Sequence, residues 1–164
     1  MITLKIVIND DNNIIIYINK MYLKDIDFNN NLELEKYFKN ILSKLNYYYN
    51  ITVNGYYELD IYTDPLYGII IELEKLENDY FDYYDDEVEL HIVIHNTNFL
   101  YELEDYFLNF QIKNKLDYYL YKNHIFAKIK NGINEYEFGN LLEYSNINYK
   151  NNENIIKYGK LIKI

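Results

Sequence analysis

Cysteine is absent from this sequence. That excludes a disulfide framework, a thiolate nucleophile and a Cys-ligated zinc site, and it suits a cytoplasmic protein. Arginine is absent too, which removes the side chain that reads phosphate and guanine in bidentate fashion. Against 16 lysines stand 26 acids, for a formal net charge of −10. The lysines are scattered, whereas nucleic-acid binding needs them clustered, so no nucleic-acid partner is expected. The five glycines nowhere form G-x-G-x-x-G or a phosphate loop. No apolar window reaches the ~18 residues of a membrane span, so no membrane partner is expected. The opening MITLKIVINDDNN is short, alternating and followed by acids, unlike a signal or transit peptide.

What is present is a chain of 164 residues, 49% hydrophobic. That is enough for one ordinary domain or two small ones with a real core. Ile, Asn, Lys, Tyr and Phe dominate, and these residues share AT-rich codons. The 22 tyrosines therefore reflect an AT-rich genome before they indicate a binding surface.

Periodicity organises the first half. Ile2, Leu4, Ile6 and Ile8 alternate as a strand, and Ile14, Ile16 and Ile18 as another. Asn30 precedes Glu33 at capping-box spacing. Leu34, Phe38, Ile41, Leu45 and Tyr48 then follow a helical stripe, giving an amphipathic helix over 31–48. Asn54-Gly55 and Asp64-Pro65 mark turns around the strands YYELDIYT and YGIIIELE. The order is β-β-α-β-β. In the second half, Val88, Leu90, Ile92 and Ile94 alternate as a strand, and Phe99, Leu103, Tyr106 and Phe110 suggest a helix. LDYYLY and IFAKIK form a hairpin around Lys122-Asn123-His124. Asn134 and Glu137 form a second capping-box pair ahead of Phe138, Leu141 and Leu142. A strand near Ile147 and a short helix or strand through Tyr158 complete the chain.

The expected fold class is α+β: two small antiparallel-sheet/helix units, the second with the β-α-β-β-α-β order of ferredoxin-like folds. The expected boundaries are an N-terminal unit at 1–75, an acidic aromatic connector at 76–87 and a C-terminal unit at 88–164. The connector, within LENDYFDYYDDEVEL, carries Glu77, Asp79, Asp82, Asp85, Asp86 and Glu87 among four aromatics. It lacks the alternate acids and sharp-turn glycine of a calcium loop, so a solvated join outranks a metal site.

Chemistry is sparsely provided. His91 and His95 have H-x-x-x-H spacing, but on a strand residues four apart stand roughly 13 Å apart, too far to share one metal. His124 sits alone in a hairpin turn. Ser43 and Ser145 lie in no nucleophile elbow. Neither a metal nor a cofactor is expected.

The last third carries a more specific signal. LLEY at Leu141–Tyr144 is followed, after thirteen residues, by YGKLI at Tyr158–Ile162. This pair resembles the C-terminal domain of the MecA family, adaptor proteins of the bacterial ClpC unfoldase. LDYYLYKNHIFAKI is similar to the family's Tyr-rich hairpin, and VELHIVIHNTNFLYELEDYF to its strand and first helix. INDDNNIIIYINKMYLKDIDF is similar to its opening hairpin. The family's long acidic linker is here only the short connector. Asn54-Gly55-Tyr56-Tyr57 stands where members have a Trp-bearing strand, and members usually continue past YGKLI into a further helix.

The resemblance implies a cytoplasmic, non-enzymatic adaptor without cofactor. Its partners would be a ClpC-type AAA+ ATPase, docked by the C-terminal unit, and substrate proteins, captured by the N-terminal one around 24–37. The charged neighbours of the motif, Glu137, Glu143 and Lys160, become candidate ATPase contacts. So do Glu102, Glu104 and Asp105, on the polar side of the expected helix. Leu141, Leu142, Tyr144, Tyr158, Gly159, Leu161 and Ile162 are the motif's structural residues, with Gly159 answering a backbone need and Tyr158, Leu161 and Ile162 expected in the core. The alternative reading is an acidic inhibitor or nucleic-acid mimic of phage type that blocks a DNA-binding machine.

Overall fold

The computed structural model describes residues 4–10, 13–23, 30–49, 55–76, 88–104, 112–130 and 132–163. It is α+β and divides into two compact units, Ile2–Asn96 and Thr97–Ile164.

Among the described residues, the first unit has a five-stranded sheet and one α-helix. Its strands are β1 (Leu4–Asp10), β2 (Asn13–Asn19), β3 (Gly55–Asp64), β4 (Gly68–Lys75) and β5 (Val88–Asn96), in the order β1-β2-β4-β3-β5. Neighbours are antiparallel except β3 and β5, which are parallel. Alternation assigns the two faces. Ile14, Ile16 and Ile18 of β2, Leu59 and Ile61 of β3, and Ile69, Ile71 and Leu73 of β4 point to one side. Helix α1 (Asn31–Tyr49) closes that side with Leu34, Phe38 and Leu42. Asn30 caps the helix, its side chain accepting from the Glu33 N–H at 3.3 Å. The expected stripe is met at Leu34, Phe38 and Ile41, but Tyr48 is exposed.

The β3–β4 turn follows from its residues. Asp64 Oδ1 accepts from the N–H groups of Leu66 and Tyr67, both at 2.9 Å, which fixes an Asx turn around Pro65. Gly68 then enters β4 at φ +126°, where a Cβ would stand 2.4 Å from the Ile18 carbonyl oxygen. Only glycine fits there.

Strand β5 corrects the expected boundaries. The alternation over Val88–Ile94 does form a strand, and Leu90, Ile92 and Ile94 do share a face. That face packs on the core of the first unit, and the whole strand pairs with β3 from Gly55–Val88 to Thr63–Asn96. Thr63 Oγ1 also bonds Asn96 Oδ1 at 2.8 Å. The chain therefore leaves β4 at Lys75 and re-enters the same sheet at Val88, on the far side of β3. Residues 77–87 lie outside the described residues, but the segment that contains them begins and ends in one sheet. The division of the chain falls between Asn96 and Thr97, so the second unit does not begin at Val88.

The second unit has β6 (Leu100–Leu103), β7 (Leu116–Tyr121), β8 (His124–Ile129), β9 (Ser145–Asn148) and β10 (Lys160–Ile162), in the antiparallel order β10-β7-β8-β6-β9. Helices α2 (Glu135–Glu143) and α3 (Asn152–Tyr158) belong to the same unit. Register aligns Ile147, Tyr101, Ala127, Tyr118 and Ile162 in one row. Phe138 of α2 meets Tyr101 edge-on at 5.8 Å. The neighbouring row points to the opposite face. There Phe126 and Tyr119 join Leu100, Tyr121 and the α3 residues Ile155 and Ile156. Lys122 and Asn123 both have positive φ, as a two-residue hairpin turn requires. The order β7-β8-α2-β9 matches expectation, and the short element before Tyr158 is α3. The expected helix from Phe99 does not form over Leu100–Leu103, which is strand β6 between β8 and β9; residues 105–111 lie outside the described residues. No helix among the described residues is long and apolar enough to cross a membrane.

Gly68→Ala is expected to lower stability by about 2 kcal/mol in urea titration of the whole chain, since it forces a side chain into a positive-φ site against backbone. Gly139, inside α2 with open space around it, gives the opposite sign: Gly139→Ala is expected to add about 0.5–1 kcal/mol.

Candidate functional site

Of the residues singled out around the LLEY/YGKLI pair, Leu141 is fully buried and Leu142 half-buried, while Glu143 and Tyr144 are exposed. At the other end, Gly159 follows α3 with its N–H on the Ile155 carbonyl at 2.8 Å. A Cβ at Gly159 would stand 2.3 Å from that same oxygen, so the glycine answers a close approach. Beyond it, Lys160, Leu161 and Ile162 form the edge strand β10, paired with Leu120, Tyr119 and Tyr118. Ile162 is half-buried. Tyr158 and Leu161, expected in the core, are 66% and 61% exposed. Leu120, 39% exposed, pairs with Lys160 and so points to the face opposite Leu161. The two halves of the motif do not converge through the sheet: LLEY leads into β9 at one edge, and YGKLI forms the other.

The charged candidates separate into different roles. Glu137 is buried and committed to α2. Asn134 and Glu137 make both bonds of a capping box: Glu137 N–H to Asn134 Oδ1 at 2.8 Å, and Asn134 N–H to Glu137 Oε1 at 3.1 Å. Lys115 Nζ donates to both carboxylate oxygens, at 2.7 and 2.9 Å. The Lys115 bonds first, and the Asn134 N–H second, hold the Glu137 carboxyl below its ordinary pKa against the opposing effect of burial. Glu137 is therefore not available as a surface contact. Glu102 lies on β6 rather than on a helix, half-buried, 2.7 Å from Nδ1 of His124. Glu104 is exposed just after β6, its N–H bonded to the Tyr144 carbonyl. Lys160 is exposed on β10. Asp105 lies outside the described residues, as does the region 24–29 of the expected capture segment. Ser145 donates its hydroxyl to the Leu141 carbonyl oxygen at the end of α2.

A second surface lies on the first unit's sheet, opposite α1, and its composition follows from strand register. One row across it reads Lys5, Tyr17, Ile70, Tyr62, His95. The next reads Val7, Ile15, Glu72, Asp60, Val93, and the third Asn13, Glu74, Glu58, His91. Ile70 is fully buried in the first row. Tyr62 stacks on His95 at 4.6 Å, and His95 Nε2 lies 2.9 Å from Asp60 Oδ1. Burial first, then Glu72 and Asp60, push the Tyr62 phenol up to about 12, and burial and Glu72 also raise Tyr17. Two like-charged pairs, Glu58–Glu74 and Asp60–Glu72, stand directly opposite each other on adjacent antiparallel strands. Like charges directly opposite each other are destabilising; Asp60 has His95 beside it, whereas Glu58 and Glu74 face each other on the outer part of the sheet. The alternation of acids in YELD and IELE was visible in the sequence. That β3 and β4 place those acids opposite each other depends on register.

No family model, no curated protein and no solved structure matches this chain.

Asn134→Ala is expected to destabilise the chain by about 1 kcal/mol through loss of the cap. For Glu137 the sign follows from its lowered folded pKa. Its contribution is present above the ordinary carboxyl value of 4.5 and is lost as pH falls through the folded value. The Tm difference between the native chain and Glu137→Gln is thus expected to be largest near neutrality and to shrink in acid, as thermal unfolding at a series of pH values would show.

Proposed function

We propose that this protein is a non-enzymatic adaptor of the MecA type, which brings substrate proteins to a ClpC-type AAA+ unfoldase and favours the assembled form of that ATPase. The supporting observation is the exposure of Tyr158 and Leu161 in the YGKLI segment. An exposed Tyr at the end of α3 and an exposed Leu on the edge strand that follows, with Lys160 between them in sequence, suit a contact with another protein. In this reading β10 and its surroundings dock on the ATPase. Lys160 is the accessible charged contact on β10 itself; Glu104, Glu143 and the half-buried Glu102 stand toward the β6–β9 side of the sheet as a separate group of candidate contacts, and Glu137 supports α2 from inside. An adaptor of this kind acts by raising the effective concentration of substrate at the unfoldase and by binding one state of the ATPase more tightly than another. The setting would be the cytoplasm.

The alternative, a nucleic-acid mimic, calls for carboxylates in a long stripe at phosphate-like spacing. Among the described residues, Glu58, Asp60, Glu72 and Glu74 of β3 and β4 form a two-by-two block rather than a stripe.

The test is ATP hydrolysis by the ClpC-type ATPase of the same cell, with and without the protein. Stimulation by the native chain is expected, with a loss of at least tenfold in apparent affinity for Leu161→Asp, whose exposed position leaves the core intact. Absence of both binding and stimulation would refute the proposal.

A further inference from the structure

We propose that the outer face of the first sheet is a docking surface for an extended, basic polypeptide segment with lysine or arginine at alternate positions. This inference depends neither on the second unit nor on an ATPase partner.

Charge complementarity identifies the occupant. Glu58, Asp60, Glu72 and Glu74 occupy the central strand β4 and its neighbour β3, in facing pairs. Glu74 is exposed and the other three are half-exposed. Among the described residues the register places one lysine on this face, Lys5, together with His91 and His95. Spacing narrows the choice further. Successive same-face residues on a strand repeat at roughly 7 Å, and adjacent strands lie about 4.8 Å apart. Among the described residues no three acids or histidines close around a point that could hold a metal ion. A second extended chain has the same ~7 Å repeat between alternate side chains. Basic residues at positions i and i+2 of such a chain therefore match Glu58 with Asp60, or Glu74 with Glu72.

The aromatic row supplies a second kind of contact. Tyr17 and Tyr62 border the carboxylates through Glu72, whose charge reaches both phenols. The protein already sets one ammonium group there, with Lys5 Nζ 5.4 Å from the centre of the Tyr17 ring, within the range of a cation–π contact. A cation arriving from a partner would meet a ring face and a carboxylate together. The repulsion between Glu58 and Glu74, which face each other across β3 and β4, would be relieved by it.

The experiment uses the full chain and a fluorescein-labelled probe of four Lys-Ser repeats, followed by anisotropy at moderate salt. The double variant Glu58→Gln/Glu74→Gln is compared with Glu104→Gln/Glu143→Gln, which removes the same charge from the second unit. The expected result is at least fivefold weaker binding for the first pair and less than twofold for the second. The unfolding midpoint of the first pair is expected to be unchanged or higher, because one repelling pair is gone. If that double variant unfolds, Glu74→Gln alone, at an exposed side chain, carries the comparison, with at least a twofold loss expected. Equal losses for the two doubles would reduce the effect to net charge and overturn the proposal, as would no loss at the face. Spermine competing as well as the peptide at equal charge would also overturn it, since the extended backbone would then contribute nothing.

Discussion

The parallel pairing of β5 with β3 is the constraint on which the rest of the structure depends. It runs the full length of β5 and carries Leu90, Ile92 and Ile94 onto the core closed by α1. With β5 in place, the acidic segment before it starts and ends in one sheet, and the division of the chain falls at Asn96. The same pairing brings His95 against Tyr62 and Asp60, which completes the aromatic row of the outer face.

Local physics made much of this legible beforehand. Ile14, Ile16 and Ile18 share a face because strands alternate, and Leu34 with Phe38 because helices turn every 3.6 residues. The Asn134–Glu137 capping box and the Asp64-Pro65 turn are set by neighbours in sequence, and both appear as read. The errors share one cause. Alternation in VELHIVIH reveals a strand and its buried side but not the strand it pairs with, and a parallel partner more than thirty residues away leaves no local trace. The acidic residues between β4 and β5 look like a linker for the same reason. Phe99 and Leu103 fit a helical stripe, yet β8 and β9 pair with Leu100–Leu103 from both sides, and tertiary pairing outweighs a weak periodicity.

The two surfaces were unequally visible. The YGKLI segment was noticed as a motif, but its apolar residues were assigned to a core on the usual expectation for Tyr, Leu and Ile. A three-residue edge strand has one neighbour instead of two, so Leu161 stays in solvent. Glu137 went the other way: a glutamate beside a motif reads as surface, but a capping box and Lys115 draw it inside. The acidic block on the first sheet needs the β3–β4 register, which only the fold supplies. An exposed Leu161 at the edge of one sheet and an acidic, aromatic face on the other give the chain two chemically distinct surfaces.

Native-state hydrogen exchange on the intact chain tests the arrangement most directly. The β5 amides bonded to β3 should open with the same free energy as the central amides of β3 and β4, since a strand built into a sheet unfolds with it. If the β5 amides instead open together with those of β7 and β8, independently of β3, then the strand belongs to the second unit. The boundary at Asn96 and the outer face built on β5 would both be wrong.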